Sequence, residues 1–272
     1  FTLSAATFTD EDSVLGDTLT LSATLTDGSV LPDWFTFDAI LGTFTGTPDN
    51  WDVGSYDIRV MATDIAGTST FDDFTVVVNN VNDTPIVANN IADQSTDEDS
   101  LYTFNLADVF TDDDLIHGDH LTLSATLVNG AELPTWLSFD ADTGTFSGIP
   151  DNWQVGSYDI RVTATDLAGT SASDVLSLTV NNVNDTPIVA NSIADEATDE
   201  DSPYSFNLAD VFTDDDLIHG DTLTLSATLT GGGALPDWLA FDAATGTFSG
   251  NPDNWDVGSY DIHVMATDIA GT

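Results

Sequence analysis

Apolar and polar residues alternate along short stretches of this chain. Leu121, Leu123, Ala125 and Leu127 are separated by Thr122, Ser124 and Thr126. Tyr158, Ile160, Val162 and Ala164 are separated by Asp159, Arg161 and Thr163, and Leu176, Leu178 and Val180 follow the same rule. In an extended strand successive side chains point to opposite faces, so a period of two predicts half-buried β-strands. Between them lie turn signals: Val128-Asn129-Gly130, Ala141-Asp142-Thr143-Gly144 and Leu167-Ala168-Gly169. No segment shows a helical period.

The pattern repeats every 102 residues. Gly-Asp-x-Leu-Thr-Leu-Ser-Ala-Thr-Leu recurs with its aspartate at Asp17, Asp119 and Asp221. Trp34, Trp136 and Trp238 keep the same register, as do Trp51, Trp153 and Trp255, and Asn79 to Asn89 reappears unchanged at Asn181 to Asn191. A repeat of this size corresponds to one sandwich domain, not to a solenoid unit. The expected fold is therefore all-β: tandem Ig-like β-sandwich modules of about seven strands each, in a linear array. The phase of the repeat places modules at 1–83, 84–185 and 186–272, of which 84–185 is complete. Phe1 aligns with Thr103 and Thr272 with Thr170, so the flanking modules are expected to lack an opening or a closing strand. This reads as an excerpt of a longer array, with strand exchange between copies as the alternative.

Charge narrows the function. Against 47 acidic residues the chain has two basic ones, Arg59 and Arg161, for a formal net charge of −45. Such a surface repels nucleic-acid phosphates, which are bound by Lys and Arg. Cysteine is absent, excluding disulfides and thiolate metal sites. No apolar run of about 18 residues spans a membrane, and no signal peptide is visible. The acid is nearly all aspartate; the glutamates are Glu11, Glu98, Glu132, Glu196 and Glu200. Aspartate is a turn residue and a hard-cation ligand.

The aspartates cluster in loops at fixed repeat positions: Thr-Asp-Glu-Asp ending at Asp99 and Asp201, Phe-Thr-Asp-Asp-Asp ending at Asp114 and Asp216, Pro-Asp-Asn at Asp49, Asp151 and Asp253, Ala-Thr-Asp at Asp64, Asp166 and Asp268, and Asn-Asp-Thr-Pro at Asn82-Asp83 and Asn184-Asp185. Crowded carboxylates repel one another and rise in pKa unless a cation sits among them. Calcium takes roughly six to eight oxygens from such groups. The competing reading is a solvated acidic surface of a marine or halophilic protein. An EF-hand is excluded, because Asp112-Asp113-Asp114-Leu115-Ile116-His117-Gly118 lacks the third ligand before glycine.

The order of these motifs resembles cadherin repeats, most closely the bacterial dystroglycan-type cadherin-like modules (putative Ig, cadherin superfamily). The resemblance rests on Phe-x-Asp-x-Asp from Phe110, on Leu-Pro-x-Trp-Leu-x-Phe-Asp-Ala-x-Thr-Gly-Thr-Phe-Ser-Gly from Leu133, and on Val-Gly-Ser-Tyr-Asp-Ile-x-Val-x-Ala-Thr-Asp from Val155. It implies calcium held at each junction by both modules and the linker. Carried over residue by residue, one junction draws on Asp49, Asn82, Asp83, Asp112, Asp114 and Asp166. The other draws on Glu98, Asp151, Asn184, Asp185, Asp214, Asp216 and Asp268. Trp51, Trp153 and Trp255 replace the family's glutamate of the Asp-x-Glu pair, and the linker is one residue shorter before its proline. One ion per junction is expected in place of three. A site inside each module, from Glu98 or Asp99 with the loop Asp112 to Asp119, is the alternative.

Trp136 and its repeat-mates read as core residues. Trp153 and its mates read as covers over the sandwich end, with a stacking face for a sugar ring as the alternative. His117, His120, His219 and His263 do not recur in all modules, so no catalytic triad is expected. An active site copied into every module is improbable where a structural ion site is natural, so the chain is read as non-enzymatic. These observations predict an adhesive or spacer array, extracellular or on a bacterial cell surface, stiffened by calcium. Its partners would be calcium ions, neighbouring modules and a homophilic partner or surface glycan. A carbohydrate-binding accessory module and a self-associating filament are the alternatives.

Overall fold

The computed structural model describes every residue from Phe1 to Thr272. It contains strands and short 3-10 turns, and no α-helix. The middle repeat has seven strands of four residues or more: Gln94–Asp97, Tyr102–Asn105, Thr122–Leu127, Leu137–Asp140, Thr145–Gly148, Gly156–Thr165 and Ser171–Asn181. They form two sheets. One orders Thr122–Leu127, Gly156–Thr165, Ser171–Asn181 and Gln94–Asp97, with the last pair parallel. The other orders Leu137–Asp140, Thr145–Gly148 and Tyr102–Asn105, all antiparallel. A further two-residue ladder joins Ile86–Val87 to Phe110–Thr111.

The alternation seen in sequence becomes the two faces of the sheets. Ile160, Val162, Leu176, Leu178 and Val180 are buried while their polar neighbours are not. Each such side chain contributes about 1.5–3 kcal/mol when removed from water. Trp136 is half-buried and meets Tyr158 edge-on at 5.8 Å, as expected for core aromatics.

In the first repeat the larger sheet has three strands, Thr20–Leu25, Gly54–Thr63 and Ser69–Val78. Phe35, Phe44, Ile58 and Val60 form its core. In the third repeat the matching sheet has two strands, Thr224–Leu229 and Ile262–Thr267, and Leu208, Val211, Leu239 and Phe248 form the core.

The chain separates into two compact units. One comprises Phe1–Asn90, Asp108–Leu123 and Thr163–Asp174; the other comprises Ile91–Ala107, Ser124–Val162 and Val175–Thr272. Each linker, with the acidic loops on either side of it, therefore lies inside a single unit.

One glycine is dictated by close approach. A Cβ on Gly148 would lie 2.1 Å from the carbonyl oxygen of Trp136, and the same contact recurs at Gly46 and Gly250. The neighbouring atom is backbone and cannot swing away. Gly148→Ala is therefore expected to destabilise by about 3 kcal/mol, measured by urea unfolding. Gly258→Ala, where nothing lies within 4 Å of the added Cβ, should leave the unfolding curve in place.

Candidate metal centre

The acidic loops are shaped by their own aspartates. Asp112 caps a 3-10 turn, Asp113–His117, and accepts the backbone N–H of Asp114 at 2.8 Å. Gly118 ends the turn with φ +93°, a conformation glycine adopts without steric cost. The Asp119 backbone N–H then donates to the carbonyl of Asp114 at 3.2 Å. The chain is thus folded back so that Asp112 and Asp119 converge. Asp119 Oδ1 accepts the backbone N–H groups of His120 at 2.6 Å and Leu167 at 3.1 Å. The second of these ties in the loop after Gly156–Thr165 and sets Asp166 beside the other two.

The result is a triad. Carboxylate oxygens of Asp112, Asp119 and Asp166 lie within 4.8 Å of one another, and so do those of Asp214, Asp221 and Asp268. Asp112 and Asp214 are each only 4% exposed. Asp112 Oδ2, Asp119 Oδ2, Asp214 Oδ2 and Asp221 Oδ2 are buried and accept no hydrogen bond. An ionised oxygen withdrawn from water without a donor is costly unless a cation meets it. Asp10, Asp17 and Asp64 form the corresponding triad of the first repeat, and all three are half-buried.

The linkers reach into these loops. In the first, Asn82 Nδ2 donates to Asp166 Oδ2 at 3.0 Å, and the Asp83 N–H donates to Asp114 Oδ2 at 2.6 Å. In the second, Asn184 Nδ2 donates to Asp268 Oδ2 at 2.9 Å and the Asp185 N–H to Asp216 Oδ2 at 2.6 Å. Asn182 adds a bond to Asp216 Oδ1 at 2.8 Å. The preceding repeat contributes Asn50 and Asn152, whose amides donate to Asp83 and Asp185 at 2.8 Å. The backbone carbonyls of Asn50 and Asn152 contact His117 and His219 Nε2 at 2.6 and 2.8 Å. Glu98, 2% exposed, accepts the Val183 N–H at 2.7 Å through Oε1, while Oε2 has no partner. Asp114 Oδ1 and Asn152 Oδ1 are likewise buried and unpaired.

Two expected ligands are placed elsewhere. Asp49 and Asp151 are exposed, and their Oδ1 atoms cap the short turns Asn50–Asp52 and Asn152–Gln154 by accepting the Trp51 and Trp153 N–H groups at 2.8 and 2.9 Å. They stand outside the triads. A Pro-Asp-Asn run before a short turn satisfies the orphan N–H groups of that turn first. The adjacent asparagines face the linker instead. Asp119 and Asp221 lie outside the expected junction set; Asp119 enters the expectations only through the alternative site inside a module, with the loop Asp112 to Asp119.

Burial, reinforced by neighbouring aspartates, raises the pKa of Asp112, Asp214 and Asp185. Burial likewise raises Glu98, with further help from Asp185, Asp216 and Asp99. Asp166 and Asp268 go the other way. Hydroxyl and amide donors, Thr170 with Asn82 and Thr272 with Asn184, hold Asp166 below the usual range and Asp268 at about 2.

Comparison with known proteins places this site in context. The "Putative Ig domain" family model matches residues 1–79, 84–181 and 186–272. The chain belongs to this family. Its sequence is 32% identical over 139 residues to the serine-rich adhesin for platelets of Staphylococcus aureus strain USA300, covering 51% of this chain and 6% of that protein. The same adhesin from strain MRSA252 is matched at 32% identity over 9% of its length. The chain thus spans less than a tenth of these relatives. Among solved structures, human CDH23 EC21-23 is similar with a TM-score of 0.53 at 17% identity, covering 94% of this chain and 90% of that one. This likeness shows the fold: tandem Ig-like, cadherin-like β-sandwich repeats.

The sign of the pH effect follows from these shifts. A carboxyl with a raised folded-state pKa binds its proton before the unfolded chain does, so stability rises as pH falls through that folded value. The stability given by Asp166 and Asp268 is present above their unfolded values and is lost as pH falls, for Asp268 through about 2. In chelator the melting temperature should therefore rise as pH falls from neutral through the raised folded-state values, and fall again at still lower pH. The double variant Asp112→Asn, Asp214→Asn should flatten the rise. A rise unchanged in that variant would assign it to general charge repulsion.

Proposed function

We propose that this chain is a calcium-bridged segment of an extracellular or cell-surface adhesive array. The reading rests on the buried, unpaired oxygens of Asp112 and Asp119 beside Asp166, repeated at Asp214, Asp221 and Asp268. The donors are hard oxygens without a thiolate or imidazole in the triad, which favours calcium or magnesium over zinc or copper. The irregular oxygen set suits calcium, which accepts flexible coordination, better than the strict octahedron of magnesium.

In this reading Asp112, Asp119 and Asp166 hold the ion from one repeat. Asn82, Asp83 and Asp114 stand at the linker side; Asn184, Asp185 and Asp216 do the same at the second junction, with Glu98 and Asn152 from the repeat before. One ion per junction meets the triad oxygens. The ion supplies positive charge where like charges otherwise repel, and so stiffens each linker between successive modules. Adhesion then follows from presenting many modules at a fixed reach, and the role is structural rather than catalytic. The adhesin relative supports a surface location and an adhesive role.

Calcium at one hundred times Kd adds about 2.7 kcal/mol per site. Melting temperature should rise in millimolar calcium relative to chelator, and small-angle scattering should give a larger radius of gyration. The paired variant Asp119→Asn, Asp221→Asn keeps an oxygen to accept the His120 and Leu167 N–H groups and their repeat-mates. It should melt higher than the parent in chelator, because a repelling charge is gone, and bind calcium about tenfold more weakly, roughly 1.4 kcal/mol. Identical melting curves of the parent with and without calcium would end this reading.

A further inference from the structure

The tryptophans expected to cover the sandwich ends do not cover them. Trp51, Trp153 and Trp255 are 79%, 76% and 93% exposed. In water such a side chain forgoes the large gain that burial of an indole brings. The turns that carry the first two are nonetheless rigid. Asp49 and Asp151 cap them, Asp52 and Gln154 close the capping box, and Tyr56 and Tyr158 hydroxyls donate to the last carbonyl at 2.8 Å. Around Trp255, Asp253 accepts the indole residue's own N–H at 2.7 Å and the Tyr260 hydroxyl donates to Asp256 at 2.8 Å. The same aromatic is displayed on a fixed mount three times.

The chain itself shows what an exposed aromatic beside a carboxylate can receive. Arg59 lies 4.0 Å over the Phe71 ring centroid and donates to both oxygens of Asp73, from Nε and from Nη2, at 2.8 Å each. Ring and carboxylate are two residues apart. Phe71 and Asp73 share one face of a strand; Asp49 and Trp51, Asp151 and Trp153, and Asp253 and Trp255 put an exposed carboxylate and an exposed ring on one short turn. Indole is the strongest cation–π acceptor among the side chains, and guanidinium can stack on a ring while bonding a carboxylate.

We infer that these three Asp-Asn-Trp turns form a repeated docking surface for arginine side chains of a basic partner protein. The arginines must come from outside. The chain has no lysine and only two arginines, Arg59 already engaged and Arg161 on a strand of another sheet. A second copy cannot fill three such sites, and net charge −45 repels it. The same field draws in a cationic chain and excludes anionic lipids and nucleic acids. Each repeat offers one such turn, so the chain carries three equivalent sites. The indoles take no part in the calcium reading, although Asn50 and Asn152 of the same turns bond Asp83 and Asp185.

The test uses the whole chain in 150 mM salt with a peptide of three Arg-Gly-Gly units spaced by Gly-Ser linkers. Its controls are the Lys-Gly-Gly and Gln-Gly-Gly peptides and a panel of neutral oligosaccharides. The triple variant Trp51→Ala, Trp153→Ala, Trp255→Ala keeps every charge, and its melting temperature should match the parent because the indoles are exposed. The expected result is tight binding of the arginine peptide, about tenfold weaker for the triple variant and weaker for the lysine peptide. Equal binding by parent and variant would overturn the proposal in favour of bulk charge. A neutral oligosaccharide that loses binding in the variant, with arginine-peptide binding unchanged, would overturn it in favour of sugar stacking.

Discussion

Carboxylate oxygens withdrawn from water, with no donor to meet them, set the terms for this molecule. The chain has almost no cations of its own to answer 47 acidic residues. Most aspartates avoid the difficulty by staying exposed or by accepting backbone N–H groups in caps and turns. Asp112, Asp119, Asp214 and Asp221 do both less and more. One oxygen of each shapes a loop, and the other is left buried and unpaired. In the reading proposed above, a counter-charge sustains the folding that places such oxygens together.

The same arrangement connects local structure to the junctions. The capped turn, its left-handed glycine and the bond from Leu167 to Asp119 bring three loops to one point. The linkers then add amide donors from Asn82, Asn182 and Asn184. These neutral donors satisfy the outer oxygens and leave the inner ones for a cation. Direct bonds from Asn50, Asn152, His117 and His219 run from repeat to repeat as well. The junctions are thus preorganised by hydrogen bonds that cost little to keep, and the ion would complete what they begin.

Much of the fold was legible in sequence because a two-residue period and a 102-residue recurrence each have one simple structural meaning. The strands around Leu121, Tyr158 and Leu176 fell where alternation put them, and Trp136 packs as a core aromatic should. Of the expected ligands, Asp112, Asp166, Asp214 and Asp268 fall in the triads, because residue type and loop coincide there. Asp119 was legible only as the end of the loop in the alternative site inside a module; the folded-back turn brings it to Asp112, and the Leu167 bond brings both to Asp166. Asp49 and Asp151 looked like ligands because aspartate serves as ligand and as N-cap alike; in the structure they are exposed caps that stand outside the triads. Trp153 looked like a cover because an apolar residue in a turn is normally folded down; its exposure is a property of the three-dimensional mount.

The central claim is that a divalent ion sits among the triad oxygens. Crystals grown in calcium and measured for anomalous scattering test it most directly. The account predicts a peak at each junction about 2.3–2.6 Å from oxygens of Asp112, Asp119 and Asp166, and from those of Asp214, Asp221 and Asp268. Water alone at those positions, with the carboxylates turned outward, would contradict it.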